Sequence, residues 1–332
     1  MMNKSNLVIT TIALLFVSLT SVAQQHEYAP YKTIVVSDES GWDYAAVDEV
    51  NRNVYFSHAT KVLVANVDND AMVAEIPNTL GVHGIAFDYE LNRGFISNGK
   101  ANSVTVFDLK TLKRIDTLAV PGVNPDAIIY DAYSKKVFTF NGNSNNATVI
   151  DAATLKVVAT IALPGKPEFA VSDLKGNIYV NIEDKSLLVQ IDVNSFALTK
   201  IWSLAPGVEP SGLAIDRENN ILFSVCSNKE MIIFDIAKEK IIDSVSIGGR
   251  VDAVVFDPST KMIYSSNGEG NVTIVKQETP TQYRIMQVLA TQKGCKTMAL
   301  DNKTKKIYLA AAMYEGDTKK ILQGSFKILV FK

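Results

Sequence analysis

An aspartate that closes a short apolar run recurs at a nearly constant interval along this chain. The spacings between successive copies are 40, 43, 42, 43, 41 and 44 residues. A period of about 40–45 residues with four short strands per unit is the sequence signature of a β-propeller blade. Seven copies of one unit therefore predict an all-β, seven-bladed β-propeller. We call these residues the anchor aspartates: Asp48, Asp88, Asp131, Asp173, Asp216, Asp257 and Asp301.

Each unit repeats the same order of four apolar runs separated by turn residues. Representative runs are residues 84–87 for strand one, 136–140 for strand two, 147–151 for strand three and 157–161 for strand four. The runs are rich in β-branched and aromatic residues, and the breaks between them carry Gly, Pro and Asn. This pattern predicts four consecutive β-strands in every blade.

The last unit contains only three strand-like runs, at residues 297–300, 306–310 and 326–331. Residues 31–36, which precede the first unit, have the pattern of the missing fourth strand. A closed ring of sheets buries the faces of the blades and leaves only short edges exposed. We therefore predict that this N-terminal strand completes blade seven and closes the ring.

The chain begins with the features of a secretory signal peptide. Lys4 precedes an apolar stretch at residues 7–19, and Ser21 and Ala23 form a small-x-small cleavage site. We expect residues 1–23 to be a signal peptide and residues 24–332 a single propeller domain. No Cys follows the cleavage site to carry a lipid anchor, and no later run is apolar enough to span a membrane. The predicted location is the periplasm or the medium.

Charge and cysteine content exclude several classes of function. The formal net charge is −2 and the pI is about 6.0, so the chain has no basic surplus for binding nucleic acid. Two cysteines are too few for a disulfide framework. The chain lacks a Gly-rich phosphate loop, a Cys-x-x-Cys pair and a Gly-x-Ser-x-Gly elbow. We expect a monomer.

The residue five positions before each anchor aspartate lies at the start of strand one, which faces the central channel of a propeller. An ordinary structural position would be apolar or Gly, but none of the seven residues is. We call this set the mouth ring: Asp43, His83, Asp126, Glu168, Ser211, Asp252 and Lys296.

A second set of candidates lies ten positions after the anchor aspartate, at the end of strand two. We expect these residues to face the same region as the mouth ring. The polar members are His58, Asn98, Asn141 and Asn267. The other blades have Cys226, Ala311 and, in blade four with its shorter turn, Ile182 beside Glu183.

Carboxylates and amide oxygens that converge on one point suit a hard cation such as Ca²⁺ or Mg²⁺. We expect Asp126, Glu168 and Asp252 to be the metal ligands. His83 beside a metal could assist the hydrolysis of a lactone or ester, or act alone as a general base. The ring could instead hydrogen-bond a polar ligand such as a sugar, or simply line a hydrated channel.

Several stretches resemble the exported bacterial seven-bladed propellers of the YVTN-repeat type, often called YncE-like. They are residues 81–86, 124–127, 138–142, 166–171, 179–185, 209–214, 265–268 and 297–301. The resemblance covers nearly all of the chain after residue 23 and implies the fold. It implies no single activity, because some similar propellers bind DNA and others resemble lactonases.

The expected function is a binding or interaction module. The channel mouth would take a small polar ligand or a divalent cation, and the faces of the ring would contact a protein or glycan partner. The alternative is a metal-assisted, lactonase-like hydrolase that uses the acidic and histidine members of the mouth ring, namely Asp43, His83, Asp126, Glu168 and Asp252.

Overall fold

The computed structural model describes residues 27–36, 41–316, 318 and 320–332. The expected signal peptide, residues 1–23, lies outside the described residues. The strands form seven four-stranded antiparallel sheets, and each sheet contacts the next around a ring. The predicted all-β, seven-bladed propeller is therefore confirmed.

The first three blades take their strands in chain order. The strands are β2 (Trp42–Asp48), β3 (Asn53–His58), β4 (Lys61–Asn66), β5 (Ala71–Pro77), β6 (Val82–Asp88), β7 (Arg93–Asn98), β8 (Ser103–Asp108), β9 (Arg114–Ala119), β10 (Pro125–Asp131), β11 (Lys136–Asn141), β12 (Asn146–Asp151) and β13 (Val157–Ala162). A short 3₁₀ helix, Gly99–Ala101, joins β7 to β8.

Blades four to six repeat this order. Their strands are β14 (Pro167–Ser172), β15 (Asn177–Ile182), β16 (Leu187–Asp192), β17 (Ala197–Ser203), β18 (Pro210–Asp216), β19 (Ile221–Cys226), β20 (Glu230–Asp235), β21 (Lys240–Ser246), β22 (Val251–Asp257), β23 (Met262–Asn267), β24 (Asn271–Thr279) and β25 (Gln282–Ala290). A second 3₁₀ helix, Glu183–Lys185, joins β15 to β16.

Blade seven combines both ends of the described chain. It contains β26 (Met298–Leu300), β27 (Ile307–Ala311) and β28 (Lys327–Phe331), and its outer strand is β1 (Pro30–Val35). Strand β1 pairs antiparallel with β28, so that Ile34 faces Ile328. The predicted closing strand is confirmed.

A buried ion pair fastens blade seven to blade one. Lys306 Nζ donates to both carboxylate oxygens of Asp70 at 2.8 Å and to the Val67 carbonyl at 3.0 Å. The Tyr308 hydroxyl lies 2.8 Å from Asp70 Oδ1, and Lys306 and Asp70 are each 4% exposed. Lys32 of β1 donates to the Asp70 carbonyl at 3.2 Å. We call this group the closure cluster.

A second contact between the same blades involves an anchor aspartate. The Arg52 guanidinium donates to both oxygens of Asp301, each at 2.7 Å, in the bidentate geometry that Arg favours with carboxylates. The other anchors cap their own turns. For example, Asp48 Oδ1 accepts the backbone N–H groups of Val50 at 3.0 Å and Asn51 at 2.9 Å.

The core lies between the blades, on strands two and three. Residues 62–65 in β4 are buried, whereas the outer strands β5, β9 and β13 are largely exposed. Burying one large apolar side chain contributes about 1.5–3 kcal/mol. Gly94 is required in this core because a β-carbon there would overlap the ring of Phe107 on the neighbouring strand.

The described part of the chain contains no helix with the length and hydropathy needed to cross a membrane.

Candidate ligand site at the channel mouth

A β-bulge positions the mouth-ring residue in six of the seven blades. The register between strands one and two shifts at Trp42/Ala45, Val82/Ile85, Pro125/Ile128, Pro167/Ala170, Pro210/Leu213 and Val251/Ala253. Each interval contains a mouth-ring residue. A bulge interrupts the ladder and re-aims a side chain, which explains how strand one can present a polar group to the axis.

In three places a polar side chain on strand two bonds to the mouth-ring backbone of the next blade. Ser97 Oγ donates to the Asp126 carbonyl at 2.5 Å, and Ser266 Oγ donates to the Lys296 carbonyl at 2.6 Å. In blade four, the Asn181 amide takes this role and donates to the Ser211 carbonyl at 2.9 Å. These bonds couple the positions of Asp126, Lys296 and Ser211 to the preceding blade.

His83 lies between two carboxylates. Its Nδ1 is 2.6 Å from Asp43 Oδ2 and 3.5 Å from Asp126 Oδ1. Asn124 hydrogen-bonds the same imidazole. Burial lowers the pKa of His83, but the bond to Asp43 and the charge of Asp126 outweigh it, so the net shift is upward. The imidazolium form is therefore stabilised relative to that of an isolated histidine.

Two lysines neutralise part of the acidic ring. Lys296 Nζ lies 2.5 Å from Asp252 Oδ2 and 3.9 Å from Asp43 Oδ1. Lys166 Nζ lies 2.6 Å from Glu168 Oε1 and also pairs with Glu183.

The remaining negative charge still perturbs the acids. Burial, with the charge of Asp43 adding to it and that of His83 opposing it, raises the pKa of Asp126 to about 6. Burial and the charge of Asp126 raise the pKa of Glu168 to about 8, although Lys166 opposes the shift. The pKa of Asp252 is also raised, by burial first and despite Lys296. Burial, together with the repulsion between the acids, therefore favours their protonated forms at the mouth.

An aromatic pair lies directly beneath this ring. The rings of Tyr44 and Phe169 are 5.6 Å apart, and they line an apolar cavity of about 80 Å³. Burial and the charges of Asp126 and Glu168 raise the pKa of Tyr44, which places its hydroxyl close to the acids. The site thus has a polar rim above an apolar floor.

The second set of expected residues lies elsewhere. His58, Asn98, Asn141 and Asn267 are buried within their blades. The asparagine amides donate to strand three: Asn98 to Ser103 and Thr105, Asn141 to Asn146 and Thr148, and Asn267 to Asn271 and Thr273. His58 packs on Phe326 with a ring separation of 4.2 Å. The expectation that these residues face the mouth is corrected. The asparagine amides join two strands of one blade, and the His58 ring packs against Phe326.

The metal geometry also differs from the expected ligand set. Asp43, His83 and Asp126 each offer one ligand atom, and these atoms all lie within 4.8 Å of one another. Of the expected ligands, Glu168 and Asp252 are instead engaged by lysines. Ser211 is partly buried, and its Oγ donates to the Val251 carbonyl at 3.3 Å.

Sequence reasoning missed Asn124, Lys166 and Glu183. A signal for the first two was available, because both lie seven positions before an anchor aspartate. That register is occupied by Gly41, Gly81, Asn124, Lys166, Glu209, Arg250 and Gly294. Glu183 is the first residue of the 3₁₀ helix between β15 and β16. The shorter turn of blade four was the signal for this irregularity, but it did not predict the helix.

We expect the metal-free protein to lose stability as the pH rises through the mouth acids. The folded-state pKa values of Asp126 (about 6) and Glu168 (about 8) exceed their ordinary values, so the stabilisation is complete at low pH and is lost on deprotonation. Between pH 5 and 8.5 in EDTA, the unfolding free energy should fall by about 1–3 kcal/mol. Urea titrations check this, and Glu168→Gln should flatten the profile. A wild-type curve that rises over this window would contradict the assignment.

The fold and the mouth define a β-propeller with a polar axial site. No family model matches the chain, and no curated protein matches it. Among solved structures, a chain of hydrazine synthase from Kuenenia stuttgartiensis has a TM-score of 0.73 and 16% identity, over 83% of this chain and 94% of that chain. A chain of the mitotic checkpoint complex has a TM-score of 0.77 and 12% identity, over 100% of this chain and 99% of that chain. At these identities the likeness shows the fold alone, and propellers commonly serve as protein-interaction modules.

Proposed function

We propose that this protein is a ligand-binding propeller whose channel mouth binds a divalent cation or a small polar ligand. The observation that carries the proposal is the convergence of Asp43, His83 and Asp126 within 4.8 Å at the axis. A bound cation would favour the ionised form of the neighbouring acids, whose pKa is raised first by burial and then by the repulsion between them. Because His83 offers a nitrogen, Mn²⁺ and Zn²⁺ join Ca²⁺ and Mg²⁺ as candidates.

The hydrolase alternative has weaker support. A general base must be free to reach the proton that it removes. His83 Nδ1 lies 2.6 Å from Asp43 Oδ2, and Asn124 hydrogen-bonds the same imidazole, so the ring is held by its neighbours. The geometry favours binding over acid–base catalysis.

A protein-interaction face is a second candidate function, supported by an apolar patch at the opposite end of the channel. The turns after strand one in blades one to four expose Val50, Tyr89, Leu91, Tyr133 and Leu174. The same turns in blades five to seven carry polar residues such as Glu218, Ser259 and Lys303. A one-sided apolar patch on a propeller face is typical of a surface that contacts a protein partner.

The cation proposal predicts a thermal shift that depends on the mouth ring. At pH 7.5, a millimolar divalent cation should raise the melting temperature by about 2 °C or more, because it binds only the folded state. The double variant Asp43→Asn/Asp126→Asn should lose the shift. The matched control, Asp116→Asn/Asp243→Asn, removes two exposed carboxylates from outer strands and should retain it. Equal shifts in both variants would refute a mouth site.

Membership of the YVTN-repeat, YncE-like group and export to the periplasm or the medium belong to this proposal as well. The motif residues support the first and residues 1–23 support the second. Fractionation of cells that express the full chain, followed by N-terminal sequencing of the product, tests export. Recovery of the uncleaved chain in the cytoplasm would contradict it.

A further inference from the structure

A cavity of about 680 Å³ opens beside the mouth ring, where blades six, seven and one meet. Its volume is within the roughly 300–1,000 Å³ range of small-molecule sites. Lys296 belongs both to the mouth ring and to the wall of this cavity, so the two spaces are adjacent. The residues used below are Trp42, Arg250, Gly268, Lys293, Gly294 and Tyr314.

Two cations in this wall have no acidic partner in the part of the chain that the structure describes. Neither Arg250 nor Lys293 forms an ion pair or a side-chain hydrogen bond there. The described acids nearby are engaged by other lysines: Asp252 with Lys296 at 2.5 Å, Glu269 with Lys229 at 3.0 Å and Glu315 with Lys320 at 2.9 Å. Within the described part of the chain, the cavity therefore carries a surplus of two positive charges.

Gly268 allows two segments of the chain to approach closely at the cavity wall. A β-carbon there would lie 2.9 Å from the Arg250 carbonyl oxygen, 3.2 Å from the Arg250 β-carbon and 3.3 Å from the Lys296 β-carbon. A larger residue would therefore displace the backbone of Arg250. Arg250 itself has φ 58°, in the left-handed region, which a non-glycine residue adopts at some cost. This backbone conformation and the lack of a side chain at Gly268 together shape the cavity wall beside Arg250.

Two aromatic side chains form the facing wall. Trp42 and Tyr314 have ring centroids 6.4 Å apart, and Phe326 supports Trp42 from behind at 5.4 Å. The Tyr314 ring packs over the backbone of Gly294, where a β-carbon would be 3.4 Å from the ring. Such rings offer flat apolar area with little conformational entropy to lose, as is common where a ligand ring is bound.

We propose that this cavity is an oxyanion site for a sugar-sized ligand. The ligand ring would contact Trp42 and Tyr314, and its carboxylate or phosphate would lie between Arg250 and Lys293. Guanidinium groups bind both oxyanions through paired N–H donors. The site requires neither the cation nor the Asp43–His83–Asp126 cluster of the proposed function, so either proposal can fail without the other.

The chain carries a fluorescent reporter for this test. Trp42 lines the cavity, and the only other tryptophan of the sequence, Trp202, lies on outer strand β17. In a Trp202→Phe background with EDTA present, glucuronate, glucose 6-phosphate, glucose and inorganic phosphate are titrated against Trp42 fluorescence. We expect glucuronate or glucose 6-phosphate to bind at least about tenfold more tightly than glucose, because only they supply the charge-assisted bonds. Which of the two binds more tightly identifies the oxyanion.

Three variants separate the contributions. Arg250→Met/Lys293→Met should weaken binding of the preferred anionic sugar about 30-fold or more. Lys110→Met/Lys156→Met removes two exposed positive charges in the turns between strands three and four of blades two and three, and it should leave binding unchanged. Tyr314→Ala should weaken the anionic sugar but not inorganic phosphate. The proposal is overturned if both anionic sugars bind no better than glucose, or if the Arg250/Lys293 variant binds like the wild type.

Discussion

Replacing Lys306 with methionine is expected to lower the free energy of unfolding by about 3–5 kcal/mol, because it leaves the Asp70 carboxylate buried without a counter-ion. Lys306 is bonded to both oxygens of Asp70, and both residues are 4% exposed. Removing one partner of a buried ion pair destabilises a protein by more than the intact pair stabilises it. Urea denaturation, with the midpoint and the slope fitted separately, measures the loss.

Two further variants test the origin of that loss. Asp70→Asn/Lys306→Met removes both charges and should be more stable than Lys306→Met alone, because no unpaired carboxylate remains. Lys135→Met breaks another pair of the same 2.8 Å length, with Glu90, but both of its side chains are mostly exposed. That change should cost no more than about 1 kcal/mol. Similar losses in Lys135→Met and Lys306→Met would show that burial of the closure cluster is not what matters.

Cation affinity at the mouth is expected to rise about tenfold or more between pH 5 and pH 7. Binding of a cation must displace protons from groups whose pKa is raised: His83 and Asp126, the latter with a pKa of about 6. Metal ligands bind in their deprotonated forms, so each proton released gives about a tenfold gain per pH unit below its pKa. Affinity should therefore increase with pH, opposite in direction to the stability of the metal-free protein.

Titration calorimetry in two buffers of different ionisation enthalpy counts the protons released on binding. The wild type should release about one proton or more at pH 6. His83→Gln should release fewer, since that position no longer titrates. A pH-independent affinity with no proton release would show that the cation does not enter the Asp43–His83–Asp126 cluster.

The sequence predicted the blade count because the anchor aspartate is a local feature with a local role. Asp48 and its equivalents cap the turn after strand one, and each turn requires this cap wherever the unit is placed. The closing strand was predictable for a related reason, since residues 31–36 have the pattern of the one strand that the last unit lacks.

The site was predicted only in part. The alternation of residues along a strand does not show which of its two faces is directed towards the channel. The residue five before the anchor reaches the axis through a bulge in six blades, and all seven mouth-ring residues belong to this register. Asn98, Asn141 and Asn267 have an equally regular register, but their amides bond to strand three of their own blade. Nothing in the one-dimensional pattern distinguishes an amide that faces the channel from one that joins two strands.

The ion pairs at the mouth could not be predicted from the sequence, for a different reason. Lys296 and Asp252 are 44 residues apart, and Lys166 reaches Glu183 across the turn of its own blade. Such pairs depend on how blades and loops approach one another at the axis, which the strand pattern does not contain. The expected metal ligands Glu168 and Asp252 looked free in the sequence, but each has a lysine within 2.6 Å in the structure.

The bulges at the mouth have a consequence for how such a protein can diversify. In six blades the mouth-ring side chain projects from a point where the ladder is already interrupted, so a different side chain there need not fit a regular strand pairing. These six positions can therefore be altered singly, on a scaffold whose turn caps and core lie elsewhere. A lineage with this architecture can acquire a new specificity by drift at the axis while its folding determinants stay under separate selection.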